Sequence, residues 1–202
     1  MMQYSMTELS FKGKEPSASY AQADINAIIR HDEKEWDISG FYAGNGIYKV
    51  RFLPEFTGKY EYKISGEINA DGSFIVGSHD EKHHGIVRAE KMQLRFSDGT
   101  LCTPFGTTVY TMMHQNDDLI EETLRSLENS PFDKIRLCFF PKDYDYNKNE
   151  PEFFPFERTA DGWNVHRPDY RLWDRFEKYL VIYHHNVVFS IMDTILSPSA
   201  VL

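Results

Sequence analysis

The 202-residue chain carries 22 Lys plus Arg against 31 Asp plus Glu, a formal net charge of -9 with histidine neutral. That balance disfavours nucleic acid or an anionic membrane as the main partner, and the length suffices to bury a substantial core in one large domain or two small ones. No apolar run approaches the eighteen or so residues of a membrane span, and MMQYSMTELSFKG lacks the basic start and apolar core of a signal peptide, so a protein inside the cell is expected. Cys102 and Cys138 fall in apolar, strand-like runs rather than in a spaced framework. They suit a reducing compartment, with one long-loop disulfide as the alternative. Aromatic residues make up 15% of the chain, more than packing normally asks, which favours ring-lined binding surfaces.

Residues 1–91 read as successive short strands. Ile25, Ala27 and Ile29 alternate imperfectly with Asp24, Asn26 and Ile28, and a charged turn follows at His31–Lys34. Gly44-Asn45-Gly46 supplies a tight turn before the alternating run Ile47–Leu53, which Pro54 ends. Tyr60, Tyr62 and Ile64 share one face of the next strand while Glu61, Lys63 and Ser65 share the other, and Asp71-Gly72 turns the chain again. Alternation with turns every eight to twelve residues predicts an antiparallel β-sandwich over 1–91. Little chemistry is visible in it. His79, His83 and His84 invite a metal reading, yet HDEKHH reads better as an exposed polar loop, and no metal or cofactor is expected. Trp36 and Tyr42 could form a sugar platform, although packing is the better account.

Residues 92–202 change pattern. LRFSDGTLC predicts a small hairpin turning at Asp98-Gly99, and TTVYTMM predicts an inner parallel strand with His114-Gln115 at its C-terminal end. Asn116 to Asp118 can cap the following helix, and Asp118 with Glu121 has capping-box spacing. Ile120, Leu124 and Leu127 stripe that helix, Asn129-Ser130-Pro131 ends it, and KIRLCFF is the next strand. Strand, amphipathic helix and strand make a βαβ unit, so this part is α/β. A long loop rich in aromatics and carboxylates follows Pro141. Pro168–Tyr183 then predicts a helix with Leu172, Phe176 and either Tyr179 or Leu180 inward, and NVVFSIMDTIL a third strand or a short buried helix. Two strands and two helices cannot close a barrel.

Several of these stretches, in this order, resemble one family: FYAGNGIYKVRFLPEFTGKYEY, HHGIVR, FSDGTLCTPFGTTVYTMMHQ, EETLRSL, FDKIRLCFFPKDYDYNKNEPEFFPFE and DGWNVHRPDYRLWDRFEKYL. Together they are similar to the apiosidase-like glycoside hydrolases over roughly residues 6 to 180. The resemblance implies a β-sandwich over 1–91 followed, over 92–202, by the first part of a (β/α)8 barrel, with a carbohydrate as substrate. It implies that His114 and Gln115 top the first barrel strand, that Lys142, Tyr144 and Tyr146 stand above the second, and that His166 leans over the pocket. His114 would donate to a sugar hydroxyl or orient a catalytic group, with a structural role as the alternative. Lys142 would touch substrate or stay in its own loop, and Arg136 would hold a carboxylate inside the barrel, as a buried arginine needs a partner.

Catalytic residues are not assigned. Family members continue for several hundred residues, and the resemblance puts their carboxylates on later strands, notably in an Asn-Glu motif after strand four. Asp143, Asp145, Glu150, Glu152 and Glu157 supply the right atoms, but hydrolysis requires two carboxyl groups held about 5 to 5.5 Å apart for retention or about 6.5 to 9.5 Å for inversion. One loop does not hold such a pair without rigid support, so a polar capping loop is the better reading. Three expectations compete: a hydrolase whose catalytic half lies outside this sequence, a carbohydrate-binding module using Trp163, Tyr144, Tyr146 or Phe153, and a structural relic. Its incomplete barrel edge would favour self-association.

Overall fold

The computed structural model describes residues 1–81, 83–139, 150–183 and 188–191, the stretches 181–183 and 188–191 by backbone alone. They divide into two compact units, Met1–Cys102 with Asn164–Pro168, and Thr103–Trp163 with Asp169 onward. Most of the pairing is antiparallel β-sheet.

In the first unit the strands are β1 (Thr7–Lys12), β2 (Ile25–His31), β3 (Lys34–Ser39), β4 (Phe41–Tyr42), β5 (Ile47–Phe52), β6 (Gly58–Gly66) and β7 (Ala70–Val76). They form two antiparallel sheets, ordered β1-β5-β4 and β3-β2-β6-β7. The expected sandwich is present, and period-2 alternation builds it. Ile25, Ala27 and Ile29 of β2, Tyr60 and Ile64 of β6, and Tyr48, Val50 and Phe52 of β5 are all buried, with Phe52 against Tyr60 at 5.6 Å between ring centroids, and each large aliphatic side chain among them stabilises the fold by roughly 1.5–3 kcal/mol. Buried tyrosines keep their hydroxyls bonded: Tyr48 donates to the Lys14 carbonyl at 2.8 Å and Tyr60 to the Phe56 carbonyl at 3.1 Å. A small sheet of β8 (Arg88–Glu90), β9 (Gln93–Arg95) and β10 (Leu101–Cys102) completes the unit. The β9–β10 turn is the expected one, with Gly99 at φ 88° and the Asp98 side chain accepting from the Thr100 amide at 2.9 Å.

The second unit contains β11 (Gly106–Thr108), α1 (Asp117–Glu128), β12 (Lys134–Leu137), β13 (Phe156–Thr159), β14 (Gly162–Pro168), α2 (Tyr170–Tyr183) and β15 (Val188–Ile191), with the end of β14 counted in the first unit. Strands β11, β12 and β15 pair in parallel in that order, so the expected third strand exists. Helices α1 and α2 bury Ile120, Leu124, Leu172, Phe176 and Tyr179 in one cluster with Ile135 and Leu137 of β12.

Three expectations need correction here. In the first unit Asp71-Gly72 does not turn the chain: both residues lie inside β7, paired with Lys63 and Tyr62, and the reversal falls at residues 67–69. Glycine suits position 72 because a Cβ there would run into the Tyr62 ring. Strand β11 is short, and the chain instead forms a 3-10 turn over Met112–His114. A strand would send Met112 and Met113 to opposite faces, whereas the turn buries both. The long loop also contains a hairpin, β13–β14, turned at Asp161-Gly162 with Gly162 at φ 121°. Both cysteines are buried thiols outside any disulfide, and among the described residues no helix is long and apolar enough to cross a membrane.

Candidate functional site

The first candidate region is the C-terminal end of β11. After Thr108 the Val109 amide still donates to the Arg136 carbonyl at 2.8 Å, and the 3-10 turn then leaves His114 buried and Gln115 half-buried. Asn116 is the N-cap of α1, its side chain accepting from the Leu119 amide at 2.9 Å, so the cap lies before the residues with capping-box spacing. Arg175 of α2 clamps this corner. Its Nε donates to Asp117 at 2.7 Å and its Nη2 to the Gln115 carbonyl at 2.6 Å, with the side chain only 7% exposed.

The clamp leaves two polar atoms over. Arg175 Nη1 and the Tyr179 hydroxyl are buried with no hydrogen-bond partner among the described residues. The nearby Tyr179 hydroxyl, then Arg175 and Lys178, hold the Asp117 carboxyl below its ordinary value, while burial first and Asp117 second push Tyr179 up. The hydroxyl thus feels the carboxylate without reaching bonding geometry, and Arg175 is its firm partner. Arg136 is exposed. Alternation along β12 turns Ile135 and Leu137 toward the helices and Arg136 to the opposite face of the sheet. Its guanidinium lies 5.9 Å from the Tyr110 ring.

The second region is a cleft of about 460 Å³ beside the hairpin. Phe154, Phe156 and Trp163 are its half-buried aromatic lining, and Glu152, Glu157 and Arg158 are exposed within it. Trp163 packs on Phe154 at 4.7 Å between ring centroids, and the Arg158 guanidinium stands 5.4 Å from the Trp163 ring. At the back, Asp169 begins α2: it accepts from the Arg171 amide at 3.1 Å and from the Arg171 side chain at 2.9 and 2.6 Å. The Arg171 bond, more than burial opposes it, keeps the Asp169 carboxyl below the ordinary aspartate range. The Pro155 carbonyl ties this corner together by accepting from Trp173 Nε1 and from the Asp169 amide, both at 3.0 Å.

Of the expected site residues, His114 and Gln115 are brought together under the clamp, Arg136 stands on the neighbouring strand, and Trp163 lines the cleft. His166 is exposed in the stretch Asn164–Pro168 and belongs to the first unit. Lys142, Tyr144 and Tyr146 lie outside the described residues, as do Asp143 and Asp145. Residue-level reading missed Arg175, Asp169 and Arg171, because an arginine in a helix pattern looks like a solvated face until the partner element is known. The Asp161-Gly162 pair between FERT and WNVH was an available signal for the hairpin.

Within the first unit the aromatic residues serve packing. Trp36 sits among Phe52, Phe56 and Tyr60 at 5.2 to 6.4 Å, and Tyr42 is buried, its hydroxyl accepting from the Gly46 amide. The loop histidines have separate partners, His83 with Asp80 and His84 with Asp98, each at 2.6 Å, and no group of metal-ligating side chains gathers among the described residues. A hollow of about 400 Å³ on β2, β6 and β7 is lined by charges, of which Arg30 pairs with Glu35 and Lys59 with Glu61.

Residues 1–67 match a family model described as a domain of unknown function, DUF5060. Among solved structures, the chain is similar to a protein from Bacteroides vulgatus ATCC 8482 described as "a putative glycoside hydrolase", with a TM-score of 0.87 and 27% identity, covering 95% of this chain and 40% of that one. The chain therefore spans well under half the length of that structure. A Lin-41 filamin domain gives a TM-score of 0.31 at 13% identity, over 38% of this chain and 80% of the other. No curated protein matches.

Proposed function

We propose that this chain is the β-sandwich and the opening strands of the (β/α)8 barrel of a glycoside hydrolase of the apiosidase-like kind, acting on a plant-type or other complex saccharide. The observation that carries the reading is the likeness of 95% of the chain, at a TM-score of 0.87 and 27% identity, to a structure described as "a putative glycoside hydrolase". The parallel order β11-β12-β15, with both helices on one face, supports it as the beginning of a barrel. In this reading His114 and Gln115 contact substrate at the strand end, and Arg136 faces the barrel interior. The acid and nucleophile come from later strands, so this chain binds sugar without turning it over.

A second reading is favoured by one feature of the second unit. Glu150 and Glu152 lie in irregular chain and Glu157 on the hairpin, so among the described residues these candidate carboxylates do not stand at a parallel strand end. A non-catalytic carbohydrate-binding or structural protein derived from such an enzyme fits that arrangement. Calorimetry of the chain against a panel of plant oligosaccharides, together with a reducing-sugar assay, tests both. Saturable binding without turnover is expected, and absence of binding to every saccharide would refute the hydrolase-derived reading. The intact mass of the protein from its own cells then separates them: a mass well above that of 202 residues supports the enzyme, and a mass equal to it supports the binding module.

A further inference from the structure

We propose that the cleft beside the β13–β14 hairpin is a saccharide subsite that selects uncharged sugars over uronates. The inference rests on the carbohydrate reading above and adds the place and the class of ligand. Its floor is aromatic: Phe154, Phe156 and Trp163 are each half-buried, with the Phe154 and Trp163 rings tilted 39° at 4.7 Å, so the rings are anchored yet still reach the cleft. Pyranose rings present C–H faces to such surfaces and hydroxyls at their edges, so a sugar site needs aromatic rings below and mixed donors and acceptors around them.

The polar groups around this floor decide the class of sugar. Asp169 and Arg171 satisfy one another through two side-chain bonds, and so offer little to a ligand. Glu152 and Glu157 hold no ion pair or hydrogen bond among the described residues, and their charge reaches Arg171 only through space. Arg158 has no carboxylate partner there, and its contact is the Trp163 ring. The uncommitted groups are therefore two carboxylates, which only accept, and one guanidinium, which only donates. A neutral sugar meets them well, its hydroxyls donating to Glu152 and Glu157 and one of its oxygens accepting from Arg158. A uronate carboxylate meets two like charges for one opposite charge, and such juxtaposition costs affinity. The volume of about 460 Å³ holds one or two sugar rings, within the range of small-ligand sites.

The test is calorimetry of the whole chain with a neutral xylo- or gluco-oligosaccharide and with an oligogalacturonate of equal length. The neutral sugar should bind at least about tenfold more tightly. Trp163→Ala and, as a milder variant that keeps a ring, Trp163→Phe should weaken it by about tenfold and severalfold, with thermal unfolding confirming that each still folds. Glu157→Gln should narrow the preference by improving oligogalacturonate binding, a change that general damage to the fold would not produce. Equal or tighter binding of the oligogalacturonate would overturn the charge argument. Sugar binding untouched by Trp163→Phe and Glu157→Gln would overturn the cleft while leaving the carbohydrate reading intact, and no binding of either sugar would overturn both.

Discussion

Arg175→Met removes the clamp between α2 and the end of β11 while keeping most of the apolar stem. The lost bonds run to the Gln115 carbonyl and to Asp117, and hydrogen bonds to a charged group are worth about 1.5–3 kcal/mol each. Asp117 keeps 54% of its side chain exposed, so water replaces much of its share. Against the loss stands Arg175 Nη1, buried without a hydrogen-bond partner among the described residues, whose removal relieves a desolvation cost of roughly 1–3 kcal/mol. The balance is a net destabilisation of about 2 kcal/mol, placed in the second unit. Urea unfolding measures the total, and hydrogen exchange read on peptides from α1 and from β2 assigns it to a unit. Protection should fall across α1 and stay unchanged across β2. A double-mutant cycle with Asp117→Asn should show coupling of about 1 kcal/mol. A loss below about 0.5 kcal/mol with no coupling would refute the clamp and leave Arg175 as a packed helix residue.

Three further outcomes are expected. Asp117 and Asp169 both titrate below the ordinary aspartate value in the folded chain, so their stabilisation is present above the unfolded value and is lost as pH falls through the folded one; Asp169→Asn should flatten the acid limb of a stability-versus-pH curve. Asn116→Ala should cost about 1 kcal/mol by removing the bond to the Leu119 amide, measured as a lower urea midpoint with an unchanged slope. Gly66→Ala should cost more than about 2 kcal/mol, because Gly66 has φ 108° and a Cβ there would run into the Asp24 carbonyl; a thermal midpoint equal to wild type would contradict that geometry.

Much of the architecture was legible because two periods are written plainly. The alternation of Ile25, Ala27 and Ile29, or of Tyr60 and Ile64, requires a strand with one buried face whatever it pairs with, and Ile120 with Leu124 requires a helix lying on something apolar. Local turn chemistry did as well at Gly44-Asn45-Gly46 and Asp98-Gly99, where strands reverse, but it misled at Asp71-Gly72, which lies inside β7 and pairs with Lys63 and Tyr62. The site was less legible. His114 and Gln115 could be placed at a strand end from order alone, but their fixing by Arg175 comes from a residue 60 positions away, and no local pattern encodes that pairing.

The amino-acid sequence by itself determined the type of most elements, the sandwich before the α/β segment, and the aromatic richness of the stretch after β12. Tertiary structure decided which charges are committed and which are left over. Asp169 and Arg171 neutralise one another at the start of α2, Arg175 is spent on Asp117 and Gln115, and Arg136 is turned to the sheet face away from the helices. Charge is a property of a residue, but its availability depends on what the fold brings within about 3 Å of it, and that distance is set by packing between segments far apart in the chain.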